Sequence, residues 1–217
     1  MVAHEYAHGY AARSQGDHTA EQLGRITWNP IKHIDPFLTV ILPILTWFGG
    51  GFIFGGAKPV PVVPRNYRDF KRGDIIVSLA GVASNAVLAV LGVFVLIGLG
   101  MLGRAVPALT ESCAILQVMM SFGIFFNIIL TYFNLIPIPP LDGSHVFKYL
   151  LPPKLAFYYQ QVGRYGFLIL ILLFMFGGPV FGRVMYPVFA LARVAFGIAF
   201  PYLLPSDVIP NPFLGFA

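Results

Sequence analysis

The chain has 217 residues, of which 57% are hydrophobic and 11% charged, with a formal net charge of +5 and a mean hydropathy of +0.77. A soluble domain carries about 25% charged residues, so this composition excludes an ordinary soluble fold and reads as a polytopic membrane protein. Cys113 is the only cysteine, which excludes an internal disulfide framework and a cysteine-based zinc site. The positive charge sits in short loops between apolar runs, a pattern of membrane orientation rather than nucleic-acid binding.

The chain opens on HEYAHGY, His4 to Tyr10. On a helix, positions four apart share a face, so His4 and His8 can hold one metal ion between them, with Glu5 beside it. Neutral imidazoles suit zinc, and a neighbouring carboxylate can deprotonate a water, which is the logic of HExxH in metallopeptidases. Two histidines leave a catalytic zinc one protein ligand short. The best candidate for the third is Asp142, in NLIPIPPLDG. The same P-P-L-D-G run also makes a good turn, and the residues alone leave ligand and turn equally open. Only Met1 to about Arg13 precedes the polar run SQGDHTAEQ, so the first helix reads as the C-terminal half of a longer one, its N-terminal helix or half-helix lacking.

After a polar connection, Ser14 to Asp35, the apolar run 36–56 contains Pro43 and the glycines 49–51. It is expected to be a re-entrant segment rather than a continuous span. The stretch AKPVPVVPRNYRDFKRGD mixes valines, prolines and basic residues, and short β structure at the membrane surface is expected there, with Pro59 to Pro64 open equally to β-addition of an extended substrate and to a purely structural edge. Spanning helices are predicted over Ile75–Gly103, with Asn85 inside, and over Cys113 to about Ile136, where the proline cluster halts the helix. A short interfacial helix follows over Val146–Leu151, then apolar helices over Gly163–Phe176 and Tyr186–Leu204. The fold class is therefore an all-α polytopic membrane protein, a single domain over 1–217 with about five transmembrane helices. His18, His33 and His145 read as loop or interfacial residues, His145 lying close enough to Asp142 to support it.

Basic residues cluster before the 36–56 run (Arg13, Arg25, Lys32), after it (Lys58, Arg65, Arg68, Lys71, Arg72) and after the Asp142 loop (Lys148, Lys154, Arg164). The positive-inside rule puts these three groups in the cytoplasm, and His4, His8 and Asp142 then fall at similar depth near that side.

Taken together, HEYAHGYAA, NPIKHIDP, AKPVPVVPRNYRDFKRGD, LAGVASN, NLIPIPPLDGSHVF and RYGFLIL resemble the site-2 protease family of intramembrane zinc metalloproteases, in the compact prokaryotic form without a PDZ domain. The resemblance covers nearly the whole chain. It implies one zinc per chain held by His4, His8 and Asp142, Glu5 as general base, and Asn85 and Asn134 as contacts to substrate or intermediate. It also implies membrane-protein substrates in the bilayer and a multi-pass protein of the prokaryotic cell membrane. Val82 stands where the asparagine motif usually has proline, and Ser144 where glycine is common. The rival reading is a catalytically inactive homologue or a metal-binding membrane protein. An ion carrier needs ionisable residues at several depths, whereas here they gather near one candidate site.

Overall fold

The computed structural model describes residues 1–50, 53, 55–176, 178–205 and 212–213. The chain divides into two compact units, one of residues 1–84 and 134–181, the other of residues 85–133 and 182–217.

In the first unit, helix α1 (Val2–Gln15) ends at Gly16, whose φ of 107° is left-handed and returns its N–H to the carbonyls of Ala12 and Arg13. The next residue, Asp17, is fully buried. Its carboxylate accepts from Thr19 N (3.1 Å), Thr19 Oγ1 (2.5 Å), Val63 N (2.6 Å) and Asn66 Nδ2 (2.9 Å). These bonds tie the short helix α2 (Thr19–Gln22) and the 57–66 stretch to the end of α1. Arg25 adds a second clamp, its guanidinium donating to the carbonyls of Lys32 and Lys58.

Asp35 Oδ1 caps a π-helical turn over Pro36–Ile41 by accepting from Phe37 N and Leu38 N at 2.9 Å each, and the chain continues into α3 (Leu42–Gly50). At roughly 1.5 Å per residue the apolar helix Pro36–Gly49 reaches about 21 Å, short of a hydrocarbon core of about 30 Å. The chain then comes back to where it started. Gly56 N bonds Leu38 O (2.9 Å), Thr39 Oγ1 bonds Gly56 O (2.8 Å) and Lys58 N bonds His33 O (2.8 Å).

The expected β structure in 57–64 is not formed, since no strand occurs among the described residues. Pro59, Pro61 and Pro64 carry no N–H, and the donors at Val60 and Val63 go to the side chains of Glu5 and Asp17. Too few donors remain for a ladder.

Helix α4 (Phe70–Ala105) runs through both units, and α5 (Thr110–Leu135) ends as the proline-rich turn begins. Three helices are long and apolar enough to cross a membrane, Phe70–Ala105, Pro107–Leu135 and Gly182–Tyr202. Only 28% of the apolar window of the first is buried, so most of its side chains need an apolar surrounding such as lipid. Of the five spans expected, α1 with 14 residues stops short of spanning length. So does the Gly163–Phe176 piece, where α8 (Gly166–Phe176) has 11 residues and follows α7 (Pro153–Val162) across a 3-10 turn.

Helix α9 (Gly178–Ala199), which belongs to the second unit from Gly182 onward, leads into the C-terminal segment. Buried Gln117 on α5 is fully engaged there, donating to Leu96 O (2.9 Å) and Tyr202 O (3.0 Å) and accepting from Leu204 N (3.0 Å). A buried amide in an apolar helix is stable only when bonded in this way.

Asp17→Asn should lower stability by about 2–3 kcal/mol at neutral pH, from weakened charge-assisted bonds. Burial pushes the Asp17 carboxyl up, but its hydrogen bonds to Thr19, Asn66 and Val63 outweigh this and hold it below the usual range. The stability it adds is therefore complete above the unfolded-state value of about 3.9 and fades as pH falls through that value towards the lowered folded one. Thermal unfolding in detergent should show the gap between parent and variant closing below about pH 4.

Candidate metal centre

Helix α1 supplies two nitrogens on one face. His4 and His8 meet edge to face with ring centroids 4.5 Å apart, and their Nε2 atoms are 3.0 Å apart. The contact that orients His8 comes from α4, where the Val77 carbonyl lies 2.7 Å from His8 Nδ1. A carbonyl only accepts, so Nδ1 carries the hydrogen and Nε2 of the neutral ring presents a lone pair. One turn further along α4, Gly81 lies flat against both rings. A Cβ there would fall 2.6 Å from His4 Cε1 and 2.7 Å from His4 Nδ1.

Asp142 arrives from the other end of the first unit, as the first residue of the six-residue helix α6 (Asp142–Phe147). The approach is tight, because a Cβ on Gly143 would run into the Leu135 carbonyl. Asp142 Oδ2 lies 3.3 Å from His4 Nε2 and 3.4 Å from His8 Nε2. This oxygen is buried and no hydrogen-bond donor is aimed at it. Burial pushes the carboxyl up, but where the His4 and His8 rings carry protons on the nitrogens facing it, their hydrogen bonds and charge outweigh this and hold it at about 2.

Two imidazole nitrogens and one carboxylate oxygen therefore converge, all within 4.8 Å of one another. Three lone-pair atoms with an unbonded, buried anionic oxygen among them fit a divalent cation, and two nitrogens with one oxygen fit zinc with an open position. Asp142 therefore faces both histidines, besides opening α6 directly after the proline-rich turn.

Glu5 is buried beside His4, and its Oε2 accepts the Val60 N–H at 2.8 Å. The extended segment thus fixes the carboxylate from outside the helix. His145 Nδ1, expected near Asp142, lies 3.2 Å from Asp74 Oδ1. His18 pairs with Glu21 (2.8 Å) and His33 with the Thr27 carbonyl (2.9 Å), both away from the triad. Asn134 lies half-buried in the last turn of α5, in the unit that carries the triad. Asn85 belongs to the other unit, where it is fully buried on α4.

Reading the sequence alone missed Val77, Gly81 and Val60, which act through backbone atoms or through the lack of a side chain. The available signal was the spacing 77, 81 on one helical face, which becomes legible only once the histidines are known to pack there.

Comparison with known proteins adds relatives. The profile described as Peptidase family M50 matches residues 100–177. The chain is 36% identical over 193 residues to the Bacillus subtilis (strain 168) protein named "Putative zinc metalloprotease YwhC", an alignment covering 89% of this chain and 83% of that protein. It is 33% identical over 173 residues to "Putative zinc metalloprotease Rip2" of Mycolicibacterium smegmatis, covering 80% of this chain and 62% of that one. The Rip2 protein of Mycobacterium tuberculosis (strain ATCC 25618 / H37Rv) is 29% identical over 202 residues, covering 92% of this chain and 73% of its own. No solved structure matches.

Gly81→Ala separates packing from propensity. Alanine favours a helix by about 1 kcal/mol over glycine, so α4 should not be weakened. The added methyl nevertheless displaces the His4 and His8 rings. Elemental analysis of purified protein should show divalent metal falling to a small fraction of the parent's content while helicity by circular dichroism is unchanged.

Proposed function

The chain belongs to peptidase family M50, the site-2 protease family, and from that premise we propose that it is a zinc metalloprotease which hydrolyses peptide bonds in or beside transmembrane segments of membrane proteins. The observation that carries this reading is the meeting of His4 Nε2, His8 Nε2 and Asp142 Oδ2, with Glu5 held next to them. The relatives' zinc metalloprotease names and the apolar helices support it.

His4, His8 and Asp142 would hold one zinc ion, which when bound polarises a scissile carbonyl and lowers the pKa of a water. Glu5 takes the proton from the attacking water and later delivers it to the leaving amine. The Val60 N–H occupies Oε2 of Glu5 and fixes the plane of the carboxylate, leaving the other oxygen as the proton acceptor. Val77 holds His8 in the tautomer that leaves Nε2 as a ligand.

A helical substrate hides its carbonyls in its own hydrogen bonds, so it must unwind before cleavage. Asn85 and Asn134, placed by the family resemblance, are proposed as contacts to the unwound substrate or the intermediate. The clusters of basic residues support a multi-pass arrangement with the site towards the cytoplasm, and the return of the chain at Gly56 to Leu38 supports a re-entrant 36–56 segment.

Glu5→Gln should keep zinc at about the parent's content and lower cleavage of a transmembrane model substrate by roughly 10²–10⁴-fold. His8→Ala and Asp142→Asn should lose both zinc and cleavage. Mass-spectrometric metal content and a detergent cleavage assay on the same preparations check this. Parent-level cleavage by Glu5→Gln would remove Glu5 as the base.

A further inference from the structure

Asp74 lies in the second turn of α4, 3% exposed. A carboxylate so far from water is costly unless it is paired and hydrogen-bonded. Asp74 is both. Its Oδ2 accepts from Tyr149 Oη (2.9 Å) and lies 2.6 Å from Lys148 Nζ, while His145 Nδ1 is 3.2 Å from Oδ1. All three partners come from residues 145–149, that is from α6 and the 3-10 turn Lys148–Leu150 behind it. This is the element whose first residue is Asp142, and His145 sits one turn after it.

Helix α6 has little to orient it by itself. Six residues are too few for a stable isolated helix, and its N-cap, Leu141, makes no side-chain cap. Its direction must come from tertiary contacts, and Asp74 supplies three of them, to an imidazole, an ammonium and a phenol.

Asp74 also shares a face of α4 with the groups that shape the histidine pair. Positions 74, 77 and 81 follow the i, i+3, i+7 pattern of one helical stripe. Val77 bonds His8, Gly81 packs against His4 and His8, and Asp74 holds the helix that delivers Asp142.

We propose that Asp74 is a positioning residue for the metal centre, setting Asp142 in register with His4 and His8 through its contacts with His145, Lys148 and Tyr149. This rests on the metal-site reading above. Without the anion, the far end of α6 loses three contacts, and the third ligand loses its register with the other two. Groups that orient a ligand in this way typically alter metal affinity by roughly 10–100-fold.

The test uses the full chain in detergent, stripped of metal and titrated with cobalt(II), whose visible absorption reports ligand geometry. Asp74→Asn should weaken cobalt binding by roughly 10–100-fold and shift or flatten the absorption bands. Gln117→Met is the control, since it removes a buried, hydrogen-bonded polar group whose partners Leu96, Tyr202 and Leu204 all lie in the second unit. It should lower the unfolding temperature and leave cobalt affinity and spectrum at parent values. Should Asp74→Asn not fold, Tyr149→Phe removes one of the three contacts and keeps the ring, and a several-fold weaker affinity with altered bands supports the proposal. Parent-like affinity and spectrum in the folded Asp74 variant, or in Tyr149→Phe where that one is used, overturn it, as does an equal change in Gln117→Met. A parent that binds no cobalt overturns the metal-site reading and the positioning role with it.

Discussion

One stripe of α4 carries the burden of the candidate site. Histidine pairs at helical spacing are easily made, but a pair of rings with both Nε2 atoms turned the same way needs an external constraint on each ring. Here the Val77 carbonyl fixes one ring by a 2.7 Å hydrogen bond, and the bare surface of Gly81 gives both rings room to lie against the helix. A helix presents side chains in fixed register, so one rigid element can set several groups at once without any loop having to hold its shape.

The opposite side of the site is built from extended chain rather than from a helix. The segment from Lys58 to Val63 is held by side chains of its neighbours, Glu5 at Val60, Asp17 at Val63 and Arg25 at Lys58. Its prolines prevent it from joining a sheet, and that same lack of donors leaves its few N–H groups for carboxylates. Glu5 is thus oriented by a backbone amide, a donor that cannot rotate away and carries no charge to compete for the proton. The fold gains a rigid wall beside the carboxylate at the cost of any β-ladder there.

Buried polar groups elsewhere follow the same rule. Gln117 in the second unit and Asp17 and Asp74 in the first are each surrounded by matched partners. In a chain of mean hydropathy +0.77 these three each mark a place where segments distant in sequence are locked together.

The amino-acid sequence by itself determined what depends on neighbours along the chain. His4 and His8 had to share a face because they are one turn apart, the prolines after Leu135 had to stop α5, and the apolar runs had to become helices buried in something other than water. A lone cysteine left histidine and carboxylate as the metal-binding chemistry. Tertiary structure alone decided the rest. It set Asp142 against the histidines, gave Val60 to Glu5 and left 57–64 without a strand, and set Asp74 against the helix of Asp142. The reason is physical. Periodicity encodes which side chains point the same way within one element, whereas the meeting of two elements depends on packing shape and on backbone donors and acceptors, which the identity of a residue does not spell out.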